Sequence, residues 1–418
     1  MENEILFLTL ATVFGLFMAW GIGANDVANA MATSIGSKAL KIRDALIIAA
    51  IFEFAGAVLA GGEVTSTIRK GIVESGYFVT QPELLVYGML GALLAAGTWL
   101  LIASRQGWPV STTHSIVGAI IGFTVAAVGF DAVKWGKVGV IAASWVVSPM
   151  FSAAVAYAIY RSIAKFILDH ADPLGRARQL APIYVFMTVF LIGLITMLKG
   201  LKHVDLMGDM STIQCYAIAA ALGVVVALLG YYLISLIEVD ENSNREFAFY
   251  KVEHVFSVLM VVTACSMAFA HGSNDVANAV GPVAAILSIA STGSVDQHAA
   301  MPVWVLMIGG LGIVVGLATY GRHVITMVGS RITPLTPSRG FAAGIAASCT
   351  IVFASGTGMP VSTTHAVVGA VLGVGLAHDT KGLNMGSIYR IFASWVITIP
   401  AGALLSIMFY FILKAALS

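Results

Sequence analysis

Two short polar runs, 249 positions apart, interrupt a chain that is otherwise apolar. One reads Gly23-Ala24-Asn25-Asp26-Val27-Ala28-Asn29-Ala30, the other Gly272-Ser273-Asn274-Asp275-Val276-Ala277-Asn278-Ala279. Two further landmarks recur in the same order. Pro109-Val110-Ser111-Thr112-Thr113-His114 returns as Pro360-Val361-Ser362-Thr363-Thr364-His365 at an offset of 251, and Ser144-Trp145-Val146 as Ser394-Trp395-Val396 at 250. Three landmarks at nearly one spacing make an internal duplication, so the fold must place the same chemistry twice. The solvent for that fold is the lipid bilayer. The 418 residues are 59% hydrophobic and 10% charged, with mean hydropathy +0.93, whereas a soluble domain carries about 25% charged residues. A net charge of +1 without any basic block argues against nucleic acid as a partner.

Apolar stretches near 20 residues long are candidate membrane helices. Twelve are expected, at 5–36 (broken near 21–23), 40–61, 82–103, 111–130, 136–160, 180–198, 211–237, 252–289 (broken near Gly272), 302–320, 340–356, 360–377 and 388–414. The pairs 82–103/111–130 and 340–356/360–377 could equally be re-entrant hairpins. The first stretch carries Glu2 and Glu4 instead of a basic leader, and reads as a membrane helix rather than a cleaved signal. With both termini outside, fifteen of the 22 Lys and Arg fall on the inner side and seven on the outer, as the positive-inside rule favours. Seven crossings separate the starts of the two copies, so the second copy is expected to lie inverted. Residues 1–160 then form the first inverted repeat and 252–418 the second. Residues 161–251 form a linker with two additional membrane helices. The fold class is all-α and polytopic, two inverted-topology repeats with broken helices and re-entrant hairpins. Paired breaks in inverted halves are the arrangement of alternating-access transporters. Cys215, Cys265 and Cys349 stand apart, with no CxxC pattern, and read as free thiols.

Each Pro-Val-Ser-Thr-Thr-His run follows a turn and precedes an apolar helix, a helix-start signal. Such a start offers unspent N–H groups and the positive end of the helix dipole, a site for an anion. Ser111, Thr112 and Thr113 add hydroxyls from one copy, and Ser362, Thr363 and Thr364 from the other; the plainer reading is that each run only caps its helix. The Asn-Asp runs supply hard oxygens from Asn25, Asp26, Asn29, Asn274, Asp275 and Asn278. With the carbonyls of a segment unwound at Gly21, Gly23 or Gly272, these suit a hard cation; the alternative is a polar lock between helices. A doubly charged oxyanion beside two ionised aspartates would place four negative charges together, and no Lys or Arg lies in the four motifs. Such repulsion makes cations or protons obligatory companions of the anion. Glu53, alone in a membrane helix with Gly309 as its repeat counterpart, is a proton or cation ligand for coupling, or the partner of a buried arginine. His271 aligns with Ile22, has no polar twin, and is expected to pack locally. Residues 63–70 are expected as an external hairpin or short helix. A Ser-His-Asp hydrolase built on Ser111 and His114 is set aside, because the arrangement is duplicated and no GxSxG elbow exists.

The two Asn-Asp runs and the two Pro-Val-Ser-Thr-Thr-His runs together resemble the signature of the inorganic phosphate transporter (PiT) family. The likeness covers roughly 1–160 and 252–418. The stretch from Ile51-Phe52-Glu53 to Arg69-Lys70-Gly71-Ile72 is similar to the family's sodium-coupled branch, as is Ile332-Thr333-Pro334-Leu335-Thr336-Pro337-Ser338. The resemblance implies inorganic phosphate as substrate, sodium ions near the Asn-Asp runs as the only metal, no cofactor, and an elevator-like or rocking motion. It also allows a homodimer. Phosphate is then expected on Ser111, Thr112, Thr113, Ser362, Thr363, Thr364 and Asp26, and sodium on the aspartates and asparagines. In one respect the chain departs from the pattern: animal members carry a glutamate where this chain has Gly344, leaving Glu53 alone of an acidic pair. The expected function is a sodium-coupled phosphate symporter with alternating access, not an enzyme, in the plasma membrane (the inner membrane in a bacterium). A proton-coupled phosphate or sulfate permease is the alternative, and a passive anion channel the more distant one.

Overall fold

A computed structural model describes residues 4–203, 210–237, 245–295, 302–328, 335–378 and 385–417. Glu2, Arg331, Lys381 and residues 332–334, on which sequence expectations rest, lie outside the described residues. Among the described residues the chain is almost entirely helical, with the long apolar helices of a multi-pass membrane protein. Its principal helices are α1 (Glu4–Ala30), α2 (Ala32–Gly36), α3 (Ile42–Ala60), α4 (Gly62–Lys70), α5 (Pro82–Gln106), α6 (Thr112–Val128), α7 (Trp135–Ile163) and α8 (Pro173–Leu198). They continue with α9 (Thr212–Ser235), α10 (Arg245–Thr292), α11 (Val303–Gly316), α12 (Arg322–Val328), α13 (Pro337–Gly356), α14 (Thr363–His378) and α15 (Met385–Leu417).

Every apolar stretch expected from the sequence is a helix, but two are short for a crossing. Among the described residues nine helices are long and apolar enough to span a bilayer; α3 and α4, bent by 65°, make a tenth. The remaining two, α6 and α14, have 17 and 16 residues, about 25 Å at 1.5 Å per residue and short of the ~30 Å hydrocarbon core. Each is the second arm of a hairpin, paired with α5 or α13. Both hairpin turns carry a glycine with positive φ, Gly107 (64°) and Gly358 (70°), where a Cβ would strain the backbone. The stretch at 63–70 is helix α4. It is not wholly external, since Val64, Thr65 and Ile68 are buried and Thr67 donates to the Gly358 carbonyl (2.7 Å).

The predicted breaks at Gly21, Gly23 and Gly272 are absent. Helix α1 runs unbroken to Ala30, and α10 continues through Gly272 to Thr292. These glycines serve close packing instead. A Cβ at Gly272 would overlap the Glu53 carbonyl, one at Gly56 the Phe269 carbonyl, and one at Gly23 the Ile313 carbonyl. Backbone-to-backbone approach at small residues is how helices associate in lipid, where apolar burial supplies no driving force between them. Helix α3 is thereby pressed onto α10, and α1 onto α11.

Burial sorts the helices into inner and outer. Over their most apolar stretch α5, α10 and α13 are 72%, 72% and 78% buried, whereas α7 and α15 are 22% buried. The outer pair holds the short arms crosswise. Helix α15 packs on α6, with Gly118 and Gly122 against the carbonyls of Ile399 and Ala403. Helix α7 packs on α14, with Gly369 and Gly373 against those of Pro149 and Ala153. The three cysteines are unbridged.

Candidate functional site

Four helix segments converge inside the protein: the Asn-Asp runs of α1 and α10, and the starts of α6 and α14. The starts form because Ser111 and Ser362 act as N-caps, their Oγ atoms accepting from the backbone N–H of His114 and His365 (both 3.3 Å). The two serines thus have the capping role that the sequence left open. The threonines after them sit in the first turn, where backbone N–H groups lack helical partners. The starts abut each other. Thr113 Oγ1 donates to the Val361 carbonyl (3.0 Å), and Thr364 Oγ1 to the Val110 carbonyl (3.3 Å).

From there the contacts cross between the copies. Asn29 Nδ2 donates to Thr364 Oγ1 (3.0 Å) and to Asp26 Oδ1 (3.2 Å). Asn278 Nδ2 lies 3.2 Å from Thr112 Oγ1 and 3.3 Å from Thr113 Oγ1, and Thr363 Oγ1 donates to Asp275 Oδ2 (2.8 Å). None of these residues is more than 6% exposed. Asp26, Asn29, Asp275, Asn278 and the four threonines are therefore one cluster.

Asn25 and Asn274 belong to its flanks. Asn25 Nδ2 donates to Ser104 Oγ (3.0 Å) and the Trp108 carbonyl (3.3 Å), and Asn274 Nδ2 to Ser355 Oγ (3.0 Å) and the Met359 carbonyl (3.3 Å). Each ties its run to a hairpin turn. Ser104 and Ser355 repeat at the same offset as the hydroxyl-rich runs, which marks them in the sequence as a pair. The amide oxygens of Asn25, Asn274 and Asn278, and one carboxylate oxygen of each aspartate, are buried without a hydrogen-bond donor. Acceptors facing inward without donors are what a cation requires.

His271 contradicts its expected role. It does not merely pack; it stands between three carboxylates. Nε2 is 2.9 Å from Asp275 Oδ2 and 3.9 Å from Asp26 Oδ2, and Nδ1 is 3.1 Å from Glu53 Oε1, with all four side chains fully buried. Glu53 thus pairs with a histidine, not an arginine, and is delivered to the cluster by the α3–α10 glycine contact. Ligand atoms of Asp26, His271 and Asp275 lie within 4.8 Å of one another, a spacing one metal ion could span. A usable signal was present: His271 and Asp275 are one helical turn apart on one face. The absence of a twin in the first copy masked it. Gly344 is closely flanked by side-chain atoms: a Cβ built there would lie 3.0 Å from the Thr263 Cβ and 3.5 Å from Thr33 Oγ1, so a larger residue would need Thr263 to give by a few tenths of an ångström.

Among the described residues no Lys or Arg side chain is buried. Even with a proton on His271, three ionised carboxylates leave two negative charges uncompensated. Each like-charge contact near 4 Å costs about 4 kcal/mol at an effective dielectric of 20. With the carboxylates ionised, such a site disfavours an oxyanion unless positive charge accompanies it.

Known proteins resemble this chain over nearly its full length. Residues 22–406 match the phosphate transporter family. The chain is 48% identical to a Haemophilus influenzae protein described as a "putative phosphate permease", covering 97% of this chain and 96% of that one. It is 42% identical to the chloroplastic inorganic phosphate transporter 2-1 of Arabidopsis thaliana over 98% of this chain and 73% of the relative. Its fold is similar to a solved structure entitled the sodium-dependent phosphate transporter, with TM-score 0.91, 39% identity, and coverage of 99% of this chain and 100% of the other. The relatives are transporters, not enzymes.

Proposed function

The chain belongs to the phosphate transporter family, and on that premise we propose that it is a secondary active symporter moving inorganic phosphate together with sodium ions by alternating access. The observation that carries this reading is the crossed contact between motif types. Asn29 of the first Asn-Asp run meets Thr364 of the second hydroxyl-rich start, and Asn278 of the second run meets Thr112 and Thr113 of the first. Phosphate is assigned to the two starts, through the threonine hydroxyls and the first-turn N–H groups, with Ser111 and Ser362 holding those turns in shape. Sodium is assigned to Asp26, Asp275, Asn29 and Asn278, with the unpaired oxygens of Asn25 and Asn274 at the flanks. Glu53 acts through His271 as a coupling residue, and Asp26 meets phosphate with a cation between them.

Since the runs are helical, the cations draw on side-chain oxygens more than on unwound carbonyls. Residues 1–160 and 252–418 are assigned as inverted repeats joined by 161–251. The matched hydrogen bonds of Asn25 and Asn274, and of Thr113 and Thr364, support that assignment. A plasma-membrane location, a homodimer and outward-facing termini complete the reading. Proton coupling is the second reading, because His271 among three carboxylates offers a place for protons. Labelled-phosphate uptake into proteoliposomes decides between them. An inward sodium gradient is expected to drive accumulation; accumulation driven by a pH gradient alone would overturn sodium coupling, and uptake indifferent to every cation gradient would make the protein a channel. Excess sulfate should not compete.

A further inference from the structure

In the first turns of the two short helices, His114 and His365 meet each other and two tryptophans. Their rings are 4.6 Å apart, centroid to centroid. His365 stacks on Trp395 at 3.4 Å and His114 lies 3.9 Å from Trp145. Both imidazoles are 3% exposed. Their Nδ1 atoms cross over: that of His365 is 2.9 Å from the Trp145 carbonyl on α7, and that of His114 is 3.4 Å from the Trp395 carbonyl on α15. A carbonyl only accepts, so Nδ1 carries the hydrogen on each ring and Nε2 is left as a lone pair. Neither Nε2 has a hydrogen-bond partner.

The difference between the two distances has a cause in the sequence. Pro149, inside α7, stands four residues after Trp145 and has no N–H, so the Trp145 carbonyl loses its helical donor. The equivalent proline of α15 is Pro400, five residues after Trp395. The residue four on from Trp395 is Ile399, which has an N–H to give. One carbonyl is therefore orphaned inside a membrane protein, where no water satisfies it, and the His365 imidazole is its donor.

We propose that His365, and to a lesser degree His114, is a positioning residue for the phosphate site: its Nδ1–H takes the carbonyl that Pro149 frees in α7 and so fixes the start of α14 against the start of α6. The proposal rests on the transport reading above and adds a residue that touches neither phosphate nor cation. An Asn side chain can place its N–H where Nδ1 stands, whereas Gln places it where Nε2 stands. In proteoliposomes His365→Asn is expected to keep the phosphate KM within about threefold of wild type, and His365→Gln to raise it roughly tenfold. The maximal rate and the sodium half-saturation should hold in both. Changes at His114 should be smaller. In His365→Gln/Pro149→Ala the restored helical N–H is expected to recover the thermal stability that His365→Gln alone loses.

Equal KM values for the Asn and Gln variants would overturn the proposal, as would a double variant no more stable than His365→Gln. Nitrogen-15 NMR of histidine-labelled protein in detergent provides a readout independent of transport. Protonated Nδ1 on both rings supports the assignment, and protonated Nε2 on His365 overturns it, even if a variant fails to fold. Wild-type vesicles that accumulate no phosphate would defeat the transport reading while leaving the NMR result to stand.

Discussion

Asp26 and Asp275 face each other across His271, with Glu53 closing the group. At this scale the Asp26→Asn and Asp275→Asn variants should each fold, because an amide replaces a carboxylate of the same shape. Each should lose sodium-driven uptake. The check is uptake against sodium concentration beside the elution profile in detergent, and wild-type sodium dependence in either variant would remove that aspartate from the cation site. His271→Gln loses contact with at least one of the two carboxylates at 2.9 and 3.1 Å and should lower uptake by about tenfold or more, since buried carboxylates left without a partner cost several kcal/mol. The paired aspartates, asparagines and threonines were legible in the sequence, because each has a twin at an offset of 249 or 251. His271 was not, because a comparison between copies overlooks a residue present in only one of them. The capping role of Ser111 and Ser362 stayed ambiguous for a different reason: a hydroxyl that caps a helix and one that binds an anion call for the same residue at the same position.

Among the helices, the glycines argue most directly. Gly56→Ala and Gly272→Ala would push Cβ atoms into the carbonyls of Phe269 and Glu53, forcing α3 from α10 and drawing Glu53 off His271. A loss of about 1–3 kcal/mol is expected, seen as a lower melting temperature in detergent, with reduced uptake. Gly139→Ala, where nothing lies within 4 Å, serves as the control and should leave both unchanged. The positions of the helices were readable from apolar length alone. Their continuity was not. A glycine beside polar residues in a membrane segment predicts a break and a close crossing equally well, and only the neighbouring backbone decides. Hairpin depth was likewise beyond the sequence, since the 17 residues of α6 and the 16 of α14 sit just below what a full crossing needs.

Considered as one molecule, the assigned orientation makes a plain prediction. Lys38 and Thr80 are both exposed and lie in successive connections, before α3 and before α5. Lys38→Cys should react with an impermeant thiol reagent only from the inner side of intact cells, and Thr80→Cys only from the outer side. The opposite result would invert the assigned topology. The repeat was legible as three landmarks at nearly one spacing, 249 to 251 residues. That the copies interlock was not, because spacing along a chain says nothing of which partner a helix chooses.

That interlock has a consequence for biogenesis. Helix α6 packs on α15, and its His114 meets Trp395, 281 residues further along. At roughly 5–20 residues per second, the ribosome takes on the order of 15–60 s to supply that partner. Through that interval Gly118, Gly122 and the buried hydroxyls of α6 must be shielded by something other than α15, whether lipid, the insertion machinery or a resident chaperone. A chain ending at residue 251 should therefore be cleared by membrane proteases, and co-synthesis of residues 252–418 should rescue it, as pulse-chase labelling would measure.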